Sequence, residues 1–120
     1  MKRSRKKRSK SRLCVVEVEV NPAEPSGRLC WPDPAPACSP HIETRFKFRL
    51  SDPRNWKWVG TSPVVSKGPR SQFPDPSFIS AGRAVLRDVN SDDGMYKYTV
   101  TVIHKTTHHQ VEIDPFIQNQ

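Results

Sequence analysis

Three histidines near the end of the sequence are the residues best suited to holding a metal ion. His104, His108 and His109 bracket a predicted hairpin turn, where two imidazoles could approach each other and bind Zn²⁺, Ni²⁺ or Cu²⁺ weakly. A structural zinc site needs four nitrogen and sulfur ligands, and no cysteine lies near these histidines in the sequence. We therefore treat them as weak metal candidates within a polar turn and predict a protein without a bound metal or other cofactor.

The three cysteines do not match a metal-binding pattern. The arrangement Cys30-x7-Cys38-x2-His41 separates its cysteines more widely than the roughly two to four residues typical of zinc sites. Because the number of cysteines is odd, we predict reduced thiols, with Cys14 as a small buried residue on its strand. A bridge between Cys30 and Cys38 is expected only if the protein leaves the cytosol.

Sequence motifs for catalysis are absent. The chain has no Gly-x-Ser-x-Gly motif, no glycine-rich phosphate loop and no His-Glu-x-x-His motif. The adjacent carboxylates of Asp92 and Asp93 precede Gly94, which is ordinary turn chemistry. Since no activated nucleophile or acid–base pair can be named, we predict that the protein is not an enzyme.

The strongest charge feature is a basic tail at residues 1–12. It holds eight of the 20 Lys and Arg residues and no acid, so the remaining 12 basic residues balance the 12 acidic ones. Such a tail is predicted to be disordered and to bind nucleic-acid phosphates in a salt-sensitive, sequence-independent manner. It has no aromatic residue for base stacking, and a solubilising extension is the alternative. The candidate nucleic-acid-binding residues are Lys2, Arg3, Arg5, Lys6, Lys7, Arg8, Lys10 and Arg12.

The distribution of apolar residues bears on location. No apolar run approaches the roughly 18 to 20 residues that span a bilayer, so no membrane partner is predicted. The tail could begin a secretory signal, but Glu17 and Glu19 interrupt the next apolar run before it reaches the roughly 7 to 15 residues required. We therefore predict a cytoplasmic location.

Alternation of apolar and polar residues predicts the elements that must position these groups. The clearest strands span residues 14–20, 44–50 and 95–104. In the second of them the apolar residues face inward, whereas Arg45, Lys47 and Arg49 face solvent. No window has a convincing helical period.

Prolines and glycines mark the connections between strands. Residues 21–40 hold six of the 12 prolines and predict a long irregular connection rather than a strand. Residues 66–82 form a second connection, with Phe73 and Phe78 as apolar anchors. About seven short strands, with turns every 8 to 12 residues, indicate a β-sandwich.

We accordingly predict an all-β protein with two parts. A disordered basic tail at 1–12 precedes one small Greek-key β-sandwich domain at 13–120, which contains a Pro-rich loop at 21–40.

One segment resembles a device of two known families. Residues 92–100 (Asp-Asp-Gly-Met-Tyr-Lys-Tyr-Thr-Val) are similar to the Asp-x-Gly-x-Tyr entry into a late strand of immunoglobulin-like domains and cupredoxins. There Gly94 gives a tight approach, and the Tyr96 hydroxyl hydrogen-bonds back to the preceding corner. The resemblance covers roughly residues 44–117 and extends to small uncharacterised bacterial proteins of cupredoxin-like shape.

Both families imply a core and a site that the sequence fits only in part. An antibody-type domain would have its second disulfide cysteine at Tyr98 and its first on the strand at 44–50, so the resemblance implies a core without that disulfide. A blue-copper protein would place its thiolate ligand at Val100 and an imidazole at His104, and the remaining ligands are missing. The resemblance therefore implies a sandwich without a blue-copper site.

Three functional hypotheses follow. The first is an uncharacterised non-enzymatic sandwich with a binding or structural role, which meets an unknown protein partner through loops such as 21–40 and 66–82. The second is an accessory nucleic-acid-binding protein that acts through its tail. The third is a weak metal carrier that uses the histidine-rich hairpin.

Overall fold

The computed structural model describes residues 14–23 and 29–120, and every regular element in these ranges is a β-strand. The strands are β1 (Cys14–Val20), β2 (Cys30–Trp31), β3 (Ala35–Pro36), β4 (Thr44–Leu50), β5 (Trp56–Trp58), β6 (Val64–Ser66), β7 (Phe78–Ser80), β8 (Arg83–Asp88), β9 (Gly94–His104), β10 (Gln110–Ile113) and β11 (Phe116–Asn119). Within the same ranges, no helix has the length and hydropathy needed to cross a membrane. The all-β prediction is confirmed, while the predicted tail at 1–12 lies outside the described residues.

The first sheet contains five strands in the order β2-β1-β4-β8-β7. Strands β1 and β4 run parallel, from Cys14 opposite Thr44 to Val20 opposite Leu50. Parallel neighbours need a long crossover, and the proline-rich connection between them supplies it. Along β4, buried residues alternate with more exposed cationic ones, as the sequence predicts.

The second sheet is built around β9, which is the longest of the described strands. Strands β5 and β6 pair with one edge of β9, and β10 and β11 pair with the other. Strand β3 extends this sheet by running parallel to β11. Strand β10 pairs antiparallel with β9, which confirms the hairpin turn that the sequence predicts at the three histidines.

The core lies between the two sheets. Phe48 and Tyr98 are both fully buried, with ring centroids 5.3 Å apart. This aromatic pair occupies the positions where the likeness to antibody domains would place a disulfide. Trp56 and Phe73 are also buried, but Phe78 is not the anchor that the sequence predicted, because it lies on the edge strand β7 and is 49% exposed.

The corner before β9 has the predicted geometry. The Tyr96 hydroxyl donates a hydrogen bond to the Asp93 carbonyl over 3.3 Å. Gly94 has a φ of 144°, and a Cβ atom there would lie 3.1 Å from the Tyr96 oxygen. The positive φ favours glycine at this position, and an added Cβ would also have to displace the Tyr96 ring by a few tenths of an ångström.

The proline-rich connection contains strands, which corrects the prediction of a purely irregular segment. Strand β2 pairs antiparallel with the end of β1, and β3 pairs with β11. The Ala37 amide continues this ladder by donating to the Gln118 carbonyl over 2.8 Å. Pro36 is tolerated because β3 lies at a sheet edge, where no neighbour needs its missing N–H.

A disulfide joins Cys14 to Cys38, which corrects the prediction of three reduced thiols. Thr44 lies opposite Cys14 in the parallel register, and its hydroxyl accepts a hydrogen bond from the Cys38 amide over 3.0 Å. The strand pairing therefore brings the two cysteines together. Cys30 stays a buried thiol; burial raises its pKa to about 12, and the nearby carboxylate of Asp33 adds to the shift. At neutral pH this thiol is protonated and unreactive.

Candidate functional site

The histidine-rich hairpin does not form a ready metal site. The Nδ1 atom of His104 accepts hydrogen bonds from the amides of Thr106 and Thr107, each over 3.2 Å, and its ring packs edge-on against Trp56. His108 adopts a positive φ of 61° in the turn. Across the described ranges, no three His, Cys, Asp or Glu side chains converge as metal ligands. His104 thus stabilises the turn.

The predicted nucleic-acid-binding residues cannot be placed. Lys2, Arg3, Arg5, Lys6, Lys7, Arg8, Lys10 and Arg12 all lie outside the described residues.

The outer face of the first sheet carries charged side chains from three neighbouring strands. The acidic residues Glu17 and Glu19 lie on β1. The basic residues lie on two neighbouring strands, with Arg45, Lys47 and Arg49 on β4 and Arg83 and Arg87 on β8. The strands are paired in a register that places these residues on the same face of the sheet. Since neighbouring strands are about 4.8 Å apart, the side chains form one continuous surface.

Most of the cations on this face have acidic partners. Arg49 pairs with Glu19 at 2.8 Å, and Arg83 pairs with Glu17 at 3.3 Å. Arg87 lies 3.1 Å from both Glu43 and Asp75. The Arg87 guanidinium donates hydrogen bonds to Glu43 and Asp75. The bond to Glu43 is the larger cause, and that to Asp75 the second, of a pKa of Arg87 above its usual value. These exposed pairs each contribute little to stability but neutralise part of the surface.

Arg45 and Lys47 are different, because neither forms an ion pair with any of the described residues. They are two positions apart on the same strand and project from the same face. Arg45 lies directly opposite a third cation, Arg87. Arg87 is neutralised by Glu43 and Asp75, and Glu17, the register partner of Lys47, pairs with Arg83. Arg45 and Lys47 are therefore the two cations of this face that have no ion pair among the described residues.

The two unpaired cations border a cleft of about 320 Å³. The residues lining it are Arg45, Lys47, Phe78, Ser80, Ala81, Arg83 and Val85. Val85 is the register partner of both Lys47 and Phe78, so these three side chains cross the face in one row. Val85 points outward yet is 4% exposed, which makes it the apolar floor between a cationic side and an aromatic side.

A tight hairpin closes one end of the cleft. Ala81 and Gly82 connect β7 to β8 with φ angles of 52° and 80°. Two successive positive φ angles are the signature of a type I′ turn. The indole Nε1 of Trp58 donates a hydrogen bond to the Gly82 carbonyl over 3.0 Å, so the second sheet holds this hairpin in place.

A buried polar network occupies another part of the molecule and is closed to solvent. The Asn119 amide donates to Gln72, Asp88 and the Asp92 carbonyl over 3.1 to 3.2 Å. Asp88 is fully buried, and burial raises its pKa to about 6. This network ties the chain end to the first sheet, and we treat it as structural.

Comparison of the chain with protein-family models and with curated proteins found no match. The geometry of the cleft therefore carries the functional argument.

The cleft was only partly visible in the sequence. The alternation over 44–50 placed Arg45 and Lys47 in solvent, but it did not show which cations would find partners. Phe78 was interpreted as a core residue because a three-residue edge strand leaves no alternating pattern. Pro74 and Pro76 mark a turn before Phe78, but the sequence does not distinguish this exposed ring from the buried ring of Phe73.

Proposed function

We propose that the protein is a non-enzymatic binding protein that holds an anionic ligand in the cleft of the first sheet. The observation that carries the proposal is the pair of unpaired cations, Arg45 and Lys47, beside the exposed ring of Phe78. Repulsion between close cations is relieved when an anion binds, and charge-assisted hydrogen bonds from Arg and Lys are strong. The cleft adjoins the 66–82 segment, which the sequence predicted as a binding loop.

The type of sandwich is also a proposal. Both sheets of an immunoglobulin domain are antiparallel, whereas β1 and β4 of this chain are parallel. The parallel pairing supports a cupredoxin-like arrangement rather than an immunoglobulin-like one.

The binding proposal is tested in full-length protein whose eight tail cations are replaced by glutamine, here called the tail-neutral variant. Pyrophosphate is titrated while backbone amide shifts are followed by NMR. We expect shifts centred on β4, β7 and β8, and a loss of affinity of at least about 10-fold in R45Q/K47Q, because two charge-assisted contacts are removed.

The matched control is R54Q/K57Q, which removes one arginine and one lysine that are exposed and unpaired within the described ranges. Its affinity should equal that of the parent. Equal affinities in both double variants, or shifts away from the cleft, would overturn the proposal.

A second candidate function rests on the eight cations of residues 1–12. We propose salt-sensitive nucleic-acid binding through this tail. Affinity for a single-stranded oligonucleotide is measured against salt concentration in the native chain, the tail-neutral variant and R45Q/K47Q. Each phosphate contact adds about 0.7 to the slope of log affinity against log salt. An unchanged slope in the tail-neutral variant would exclude the tail.

The cellular location bears on both functions. The residue pattern favours the cytoplasm, but the Cys14–Cys38 disulfide favours an oxidising compartment, where such bonds persist. We propose that the protein acts in an oxidising compartment. Alkylation of thiols in cells before lysis tests it: modification of Cys14 and Cys38 would place the protein in a reducing compartment.

A further inference from the structure

The cleft has two chemically different sides. Arg45 and Lys47 lie on one side, and Arg83, which already pairs with Glu17, adds a third cation nearby. The ring of Phe78 forms the other side. Because Lys47, Val85 and Phe78 are register partners on three adjacent strands, the backbones of the two sides are about 9 to 10 Å apart.

The charged side specifies the anion. A carboxylate offers one negative charge to the two unpaired cations, whereas a phosphate monoester carries about 1.5 to 2 negative charges at pH 7 and three acceptor oxygens. The phosphate matches both the charge and the donor number of Arg45 and Lys47 better.

The aromatic side specifies what is attached to the phosphate. An exposed phenyl ring on a sheet surface offers a stacking platform to a planar ring. Because the two sides are carried by strands whose backbones are about 9 to 10 Å apart, a ligand that contacts both sides needs a spacer between phosphate and ring. A sugar between phosphate and ring supplies the missing length and lies over the apolar floor, with the Ser80 hydroxyl at the rim as a hydrogen-bonding group.

We propose that the cleft binds a nucleoside monophosphate, with the phosphate on Arg45 and Lys47 and the base stacked on Phe78. The inference rests on the proposed anion-binding function and deepens it by naming the ligand class. The unit is either a free nucleotide or one residue of a single-stranded nucleic acid, which share this chemistry. The volume of about 320 Å³ suits a ligand of that size.

The test uses the tail-neutral full-length chain and four small probes followed by NMR. The probes are adenosine 5′-monophosphate, adenosine, ribose 5-phosphate and phenyl phosphate. We expect the nucleotide to bind about 10-fold more tightly than ribose 5-phosphate or phenyl phosphate, with magnetisation transfer from the Phe78 ring to base protons.

Two leucine variants separate stacking from general apolar contact. F78L should lower nucleotide affinity to that of ribose 5-phosphate, whereas F116L, which alters an exposed phenylalanine of the second sheet, should change nothing. Thermal unfolding of both variants checks that they fold.

The outcomes distinguish the two proposals. If ribose 5-phosphate or phenyl phosphate binds at the cleft as tightly as the nucleotide, the nucleotide assignment is wrong and anion binding survives. If no phosphate probe binds, both fail. If the nucleotide binds as expected, a short single-stranded oligonucleotide identifies the natural form of the ligand. Tighter binding of the oligonucleotide than of the mononucleotide supports a nucleic-acid strand, and equal or weaker binding supports a free nucleotide.

Discussion

At the scale of single residues, Asp88 is a fully buried carboxyl group whose hydrogen bonds are incomplete. Its Oδ1 atom accepts hydrogen bonds from the Asn90 amide and from Asn119, over 3.0 and 3.2 Å. Its Oδ2 atom and the Asn119 Oδ1 atom are buried acceptors without a partner among the described residues. A buried carboxylate oxygen without a donor disfavours the ionised form, which fits a pKa of Asp88 raised to about 6 by burial.

We therefore expect Asp88 to make stability depend on pH. Its folded pKa of about 6 exceeds the ordinary value of 3.8, so its stabilising contribution is complete below pH 3.8 and is lost as pH rises through about 6. D88N imitates the protonated acid and should raise the free energy of unfolding at pH 7 by about 1 to 3 kcal/mol, the value of satisfying a buried polar group.

Urea unfolding of the wild type and D88N between pH 4.5 and 7.5 measures this effect. D93N, which alters an exposed carboxylate of the next turn, is the matched control and should keep the wild-type pH profile. A D88N protein that is less stable than the wild type at pH 7 would show that the ionised carboxylate is the stabilising form.

At the scale of elements, the hairpin between β7 and β8 has Ala81, which disfavours a positive φ, next to Gly82, which adopts it readily. Ala81 has a φ of 52°, where its Cβ atom is strained, whereas Gly82 at 80° has no such penalty. The hairpin lines the cleft, so strain is retained beside the candidate site.

Replacing Ala81 by asparagine should stabilise the protein. A81N produces Asn-Gly, the preferred type I′ pair, and we expect about 0.5 to 1 kcal/mol of added unfolding free energy. G82A is the opposing control: nothing lies within 4 Å of its added Cβ, so the expected loss of about 1 kcal/mol comes from backbone conformation alone. Chemical denaturation measures both, and destabilisation by A81N would contradict the turn assignment.

The elements that the sequence predicted are those with a local signal. Strands β1, β4 and β9 alternate in polarity, and the sequence predicts each of them from that pattern. Strands β2, β3 and β7 have only two or three residues, too few to show a period, and the structure defines them by pairing with distant segments. The parallel register of β1 with β4 is also non-local, so the disulfide that depends on it was missed.

At the scale of the whole molecule, the disulfide constrains the first part of the chain. It joins residues separated by 24 positions and encloses β1 and most of the crossover between β1 and β4. Loops of this length restrict the unfolded chain enough to stabilise the folded state by about 3 kcal/mol in the chain-entropy account.

Reduction should lower the free energy of unfolding by about 2 to 4 kcal/mol, and C14A/C38A should match the reduced wild type. Urea unfolding with and without reductant measures the difference. The double variant is its own control, since reductant should not change its stability further. A wild type that is equally stable in both conditions would mean that the bond makes no net contribution.

The candidate site was harder to predict than the fold because it depends on partnership rather than residue type. Eight cations at 1–12 and three histidines attract notice by clustering in sequence. The structure shows that Arg49, Arg83 and Arg87 are neutralised by acidic partners. Arg45 and Lys47 stand out only by comparison, because they have no such partner among the described residues.

The position of β9 has a consequence for how the molecule opens. Four strands pair with β9 along its two edges. We therefore expect its amide hydrogens to exchange with solvent only when the second sheet as a whole opens. Strand β7 has a neighbour on one side among the described strands, so we expect it to open more easily by local fraying. We therefore expect amide hydrogen exchange to be slow along β9 and faster along β7, which carries the aromatic side of the cleft.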